Sequence, residues 1–157
     1  MIGDIALLWD NDLGGADIGI GLSDLVQDGG LETAVVISLF TDRRADDTDQ
    51  LPPGETSRRG WWGDVYPEVQ EDKIGSKLWL LQREKTTRDI PTRAKAYVEE
   101  ALAWLIDDKV AKSVEVVASL AGEGTLLIQI AIEQPDGLPV TYRYNYNWAA
   151  EAAKRAA

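Results

Sequence analysis

The chain contains neither cysteine nor histidine. Disulfides, thiol nucleophiles and Cys/His zinc sites are therefore excluded, as are His-based triads and imidazole proton shuttles. No apolar run approaches the ~18 residues of a membrane-spanning helix. The first ten residues, MIGDIALLWD, lack a basic region and a signal-peptide core. The expectation is a cytoplasmic or cytoplasmically assembled protein with no membrane span. Base is also missing from one stretch. Residues 1–42 hold eight acids and no Lys or Arg, which leaves 19 of the 27 acids to face all 16 bases from Arg43 onward. Such an acidic segment repels nucleic-acid phosphates and anionic lipids. It suits a basic protein partner, or it only keeps the chain soluble.

What is present reads as one α+β domain over residues 1–157, long enough to bury a core. Residues 1–30 read as short strands: IALLW (5–9), a DNDLGG turn (10–15) and ADIGIGL (16–22). LETAVVISLFTDRR (31–44) has helical spacing, with Glu32 at its start and Arg43 and Arg44 at its end to suit the dipole. Its β-branched residues leave a strand open. Residues 45–76 carry Pro, Gly, Asp and Ser without periodicity and read as a long loop. Loops of that length are usually functional or ordered by a partner. SKLWLLQREK (76–85) offers one or two helical turns.

The strongest helical pattern is 90–108. Ala94, Tyr97, Val98, Ala101, Leu102, Leu105 and Ile106 form an apolar stripe, with Asp89 as a cap and Pro91 in the first turn. Lys95 and Glu99 are an i,i+4 pair on the wet face. A three-stranded meander then spans 113–147: SVEVVASL, a GEG turn, TLLIQIAIEQ, a PDG turn and LPVTYRYNYNW. An Ala-rich tail, helical or frayed, closes the sequence at 148–157.

Chemistry-bearing motifs are few. Asp10, Asp12 and Gly15 match three positions of a calcium loop, but position 12 of that loop is Gly21 where a Glu is required, so a tight turn is the expectation. DRRADDTD (42–49) could hold a divalent ion, and more often such a run is a solvated loop with local ion pairs. Glu99–Glu100 and Asp107–Asp108 are paired carboxylates, yet helix neighbours point about 100° apart and do not face one cleft. No cofactor is expected. The Tyr142, Tyr144 and Tyr146 stripe reads as half-buried core, or as an edge offered to another chain. In RRGWWGD (58–64), Trp and Arg are the residue types of interface hot spots. One of Trp61 and Trp62 is expected inward and the other, with Arg58 or Arg59, toward a partner. Asp64 closes the motif.

Five blocks, SLFTDRRADD (38–47), LPPG (51–54), RRGWWGD (58–64), GSKLWLLQREK (75–85) and ALAWLIDDKVAKSVEV (101–116), together resemble the Mu-like bacteriophage tail protein family of the baseplate. That family is similar to the T-even-type baseplate wedge protein that initiates the contractile sheath. The resemblance implies a non-enzymatic structural protein of the virion, present in six copies. Its implied partners are other baseplate wedge proteins and the tail sheath protein, joined by sharing strands. The related family uses a Glu-Pro-Arg triplet for wedge contacts. Here IDDKVA (106–111) stands in its place, with Asp108 and Lys109 as the nearest acid and base. The alternative is a small carboxylate-dependent glycan hydrolase.

Overall fold

The computed structural model describes residues 4–20, 27–28, 30–66, 73–135, 137 and 139–156. The elements are β1 (Asp4–Ile5), β2 (Leu7–Asp10), β3 (Gly15–Ile18), β4 (Gln27–Asp28), α1 (Leu31–Phe40), α2 (Ile90–Leu102), α3 (Trp104–Asp107), β5 (Ser113–Gly122), β6 (Thr125–Glu133), β7 (Val140–Asn147) and α4 (Trp148–Ala156). Two 3-10 turns, Trp62–Val65 and Leu78–Leu81, lie between α1 and α2. The α+β class expected from the pattern is the class observed. Among the described residues no helix is long and apolar enough to cross a membrane.

The meander forms with the order β5-β6-β7, both pairs antiparallel. Strict alternation in β6 buries Leu126, Ile128, Ile130 and Ile132 on one face. Register places Tyr146, Tyr144, Tyr142 and Val140 directly beside them. The tyrosine stripe therefore faces the core. Tyr144 and Tyr146 are buried, and Trp9, Phe40 and Tyr144 form an aromatic cluster with Trp9 stacked on Phe40 at 3.5 Å. The helices and the Leu78–Leu81 turn cover this face, and Trp148 seals one end with its Nε1 donating to the Glu84 carbonyl at 3.0 Å. On the other face Glu115, Val117 and Ser119 are exposed.

Several sequence expectations change. The segment 31–44 is helical only to Phe40; Thr41 is extended, and Arg43 N–H donates to the Ser76 carbonyl while Ser76 N–H donates to Thr41. A parallel bridge between Asp42 and Ser76 has replaced the last helical turn. The β-branched run did not make α1 a strand. Val35, Val36 and Leu39 are buried in the same core that β6 lines. The expected single helix 90–108 breaks at Ala103, where the hydrogen bonds tighten to i→i−3: Ala103 to Glu100 at 3.4 Å and Ile106 to Ala103 at 3.0 Å. Asp89 sits at the cap position of α2 without a side-chain capping bond. Its carboxylate instead accepts from the Thr87 hydroxyl. The strand expected over 16–22 is β3, ending at Ile18; residues 21–22 lie outside the described residues. The tail is the helix α4, begun by Asn147, whose Oδ1 accepts from Ala150 N–H at 2.8 Å.

Candidate functional site

The segment between α1 and α2 is held down by a second, small core. Ala45, Trp79 and Leu80 are its buried members. Trp79 donates from Nε1 to the Arg43 carbonyl at 2.7 Å. The Arg59 guanidinium lies 4.3 Å from the centroid of the Trp79 ring, pairs with Asp42 at 3.2 Å and Glu55 at 2.8 Å, and donates to Gln82 Oε1 at 3.2 Å. Arg58 donates to the carbonyls of Asp46 and Asp47. Lys77, 7% exposed, is ringed by Asp46, Asp49 and, at 3.8 Å, Glu100. Burial works against its charge, but the Asp46 and Asp49 hydrogen bonds prevail and hold its pKa above the usual lysine value. The acids of DRRADDTD thus meet cations of this same chain, and the two arginines of RRGWWGD bind its loop.

DNDLGG is likewise a turn. Asp10 Oδ1 accepts from Asp12 N–H at 2.8 Å and Leu13 N–H at 2.9 Å, with Gly14 in the left-handed region at φ 59°. Among the described residues no group of three or more Asp or Glu is arranged to hold a metal ion.

The paired tryptophans behave differently from the expectation of one in and one out. Neither enters a core: Trp61 is 42% exposed and Trp62 80%. Their rings lie 5.3 Å apart at 45°. A Cβ on Gly63 would stand 2.1 Å from the Trp61 ring, so this glycine lets the indole fold back over its own backbone. The inward tryptophan of the region is Trp79, seventeen residues along from Trp62.

Trp61 and Trp62 form one wall of a groove of about 690 Å³. Ala34, Ile37 and Ser38 of α1 lie along it, with Ala101 and Trp104 at the α2–α3 break. Trp104 Nε1 donates to Ser38 Oγ at 3.1 Å, which ties the two helices together there. Two carboxylates line the same groove, Asp64 and Asp108, and Lys73 also reaches it. Asp64 Oδ1 accepts from Ile74 N–H at 3.3 Å, while Oδ2 is buried with no hydrogen-bond partner among the described residues. Lys109, next to Asp108, is exposed in the left-handed region at φ 60°.

The structure therefore brings Trp61, Trp62, Asp64 and Asp108 to one groove. Arg58 and Arg59 sit behind it in the loop scaffold, and Tyr142, Tyr144 and Tyr146 lie on the core face of the sheet. Sequence reading missed the α1 side of the groove. Ala34 and Ile37 look like ordinary members of an apolar helix, and by spacing Trp104 is only an aromatic beside the α2 stripe.

Among the described residues the sheet has two edges that no further strand joins. Asn145 N–H points away from β6 and donates to Asn11 Oδ1 at 2.7 Å. By strand alternation the N–H groups of Arg143 and Thr141 point outward as well. Among the described residues no strand pairs with that side of β7 or with the outer side of β5.

Comparison with known proteins bears on this arrangement. The family described as "Phage protein GP46" matches residues 31–139, which include α1, the groove, α2 and most of the meander. Baseplate protein gp46 of Escherichia phage Mu is 46% identical over 141 residues, covering 90% of this chain and 94% of that protein. Mu-like prophage FluMu protein gp46 of Haemophilus influenzae is 42% identical over 146 residues, covering 93% of this chain and 98% of its own length.

Proposed function

The chain belongs to the Phage protein GP46 family, and from that premise we propose that it is a structural component of a contractile-tail baseplate. The single observation that carries this reading is the 46% identity to a phage Mu baseplate protein across nearly the full length of both chains. It acts without catalysis, in the virion tail, through contacts with other tail proteins. More finely, it is a wedge component, in six copies, from which sheath assembly starts by strand sharing. The open edges support that finer role. A strand from a sheath subunit would add to β7 along Val140–Tyr144 or to β5, and the outward N–H groups would supply the hydrogen bonds. An unpaired edge is an aggregation hazard in a free subunit, and the net charge of -11 offsets it by mutual repulsion. Tyr142, Tyr144 and Tyr146 serve such a role by stiffening β7 from the core side.

Co-expression with the tail proteins encoded beside it, followed by size-exclusion chromatography with light scattering, tests the assembly reading. Co-elution with at least one tail protein is the expected result. Arg143→Pro removes an outward N–H from an edge strand, a place that tolerates proline. It should leave the free protein folded and abolish sheath initiation in tail-assembly assays. A monomer with every tail protein, or peptidoglycan hydrolysis that disappears in Asp64→Asn or Asp108→Asn, would overturn the structural assignment.

A further inference from the structure

We infer that the Trp61–Trp62 groove is the docking site for a segment of another tail protein that presents an arginine between small or apolar residues. This inference rests on the assembly reading above and names the partner's chemistry at one surface. The two are separable, because strand sharing uses the sheet edges and not the groove.

Shape and composition come first. The groove holds about 690 Å³, room for several side chains of an incoming segment. Its walls are mostly apolar, and its two exposed indoles face solvent in the free chain. Small residues, Ala34 and Ala101, keep it deep between α1 and α2. Aromatic anchors around a depression are the usual make-up of an interface hot spot.

Charge then selects the occupant. Asp64 and Asp108 bring two carboxylates, and among the described residues neither lies within ion-pair distance of a base. Lys73 is also at the groove and makes no ion pair with either, so the lining is net negative. Three arginines of the neighbouring loop are turned elsewhere. Arg43 reaches toward Glu100, Arg58 binds loop carbonyls, and Arg59 is committed to Trp79, Asp42 and Glu55. Meanwhile Asp64 Oδ2 is buried and lacks a donor, which is costly for a carboxylate oxygen. A cation from outside supplies that donor. Among the described residues the Trp61 and Trp62 indole N–H groups make no hydrogen bond, so they too are open to an incoming segment.

Arginine fits better than lysine for a geometric reason. Its planar guanidinium stacks on an indole face while its fork reaches a carboxylate in the ring plane. The chain already uses that arrangement once, with Arg59 against Trp79, Asp42 and Glu55. In the groove the same parts, Trp61 or Trp62 and Asp64 or Asp108, are present without the arginine.

The test places a photo-crosslinking benzoylphenylalanine at Trp62, an exposed position, in the full chain co-expressed with the tail proteins. After irradiation the crosslinked peptide is sequenced. The expected product is a segment of another tail protein with an arginine within a few residues of the crosslink. Replacing that arginine by alanine, and separately Asp64→Asn in this chain, should each weaken the complex at least about tenfold. Thermal melts confirm that Asp64→Asn, an isosteric change, stays folded. Replacing the partner arginine by lysine should recover only part of the affinity. A crosslink to a second copy of this chain, to a segment without arginine, or to nothing overturns the inference. So does full affinity in both Asp64→Asn and Trp62→Ala. If those variants still co-elute normally with tail proteins, the groove inference fails alone. If the unaltered chain co-elutes with none, the assembly reading fails first.

Discussion

The Arg59 guanidinium sits 4.3 Å over the ring of Trp79 while bridging Asp42 and Glu55. This one contact joins the end of α1, the LPPGE turn and the Leu78–Leu81 turn, and so holds the base on which the Trp61–Trp62 loop stands. Arg59 does this in the left-handed region, at φ 52°. Two opposing terms meet at a single residue: strain in the backbone, and stacking plus ion pairing in the side chain.

Arg59→Ala is expected to destabilise the fold by about 1–2 kcal/mol, through loss of the stacked cation and its half-buried ion pairs. Arg59→Gly loses the same contacts but relieves the backbone. It should be the more stable of the two by up to about 1 kcal/mol. Urea unfolding midpoints of the two variants check the order. Equal midpoints would mean that the backbone there relaxes freely.

Gly75→Ala should be more damaging than either. A Cβ there would stand 2.4 Å from the Thr41 carbonyl oxygen, and the residue has φ 97°. The clash is with backbone, at the bridge where Asp42 meets Ser76. A loss above about 2 kcal/mol is expected, read as a lowered melting temperature.

Lys77 and Asp46 give the fold a dependence on pH at both extremes. The Lys77 pKa is raised, so its contribution is full below the ordinary lysine value of 10.5 and is lost as pH climbs through the folded pKa. The hydrogen bond from Lys77 depresses the Asp46 pKa, so that contribution is full above 3.8 and fades as pH falls through the lowered value. Lys77→Met should therefore cost about 1–2 kcal/mol near neutral pH, a modest figure because two of its three partners, Asp46 and Glu100, are exposed. The gap from the unaltered protein should narrow in acid as Asp46 protonates. Urea melts at pH 3, 7 and 11 test this. A gap that stays constant from neutral pH into acid would contradict the pairing.

Tyr144 carries the reverse expectation. Its hydroxyl is buried with no partner among the described residues, and burial, assisted by the nearby Glu32 carboxylate, pushes its pKa up. Tyr144→Phe keeps the ring contacts with Trp9 and Phe40 and removes an unsatisfied donor. Stability should hold or rise by up to about 1 kcal/mol. A lower melting temperature would mean that the hydroxyl has a partner, such as a bound water.

Much of the scaffold was legible in the residues. The Ile and Leu alternation of β6 specifies which face is buried, because side chains of a strand switch sides at every residue. Register then carries that face to Tyr142, Tyr144 and Tyr146, which is why the stripe is core. The α2 stripe and the turn at Glu123–Gly124 were equally local signals. The absence of Cys and His excluded whole classes of chemistry before any geometry was known.

Tertiary structure decided the rest. Whether LETAVVISLF coils or extends depends on what covers Val35, Val36 and Leu39, and that cover comes from strands some ninety residues away. Its early end depends on Ser76 arriving beside Asp42. Three tryptophans, Trp61, Trp62 and Trp79, have similar claims to burial by composition. Only Trp79 is buried, because only its site offers the Arg43 carbonyl to its N–H and the Arg59 cation to its face. Charge placement followed the same logic: Arg58, Arg59 and Lys77 found their acids across the loop, while Asp64 Oδ2 found none. Sequence alone determined the periodic elements, since periodicity is a property of neighbours along the chain. The groove and its unmatched carboxylate were decided by which distant segments the fold brings together.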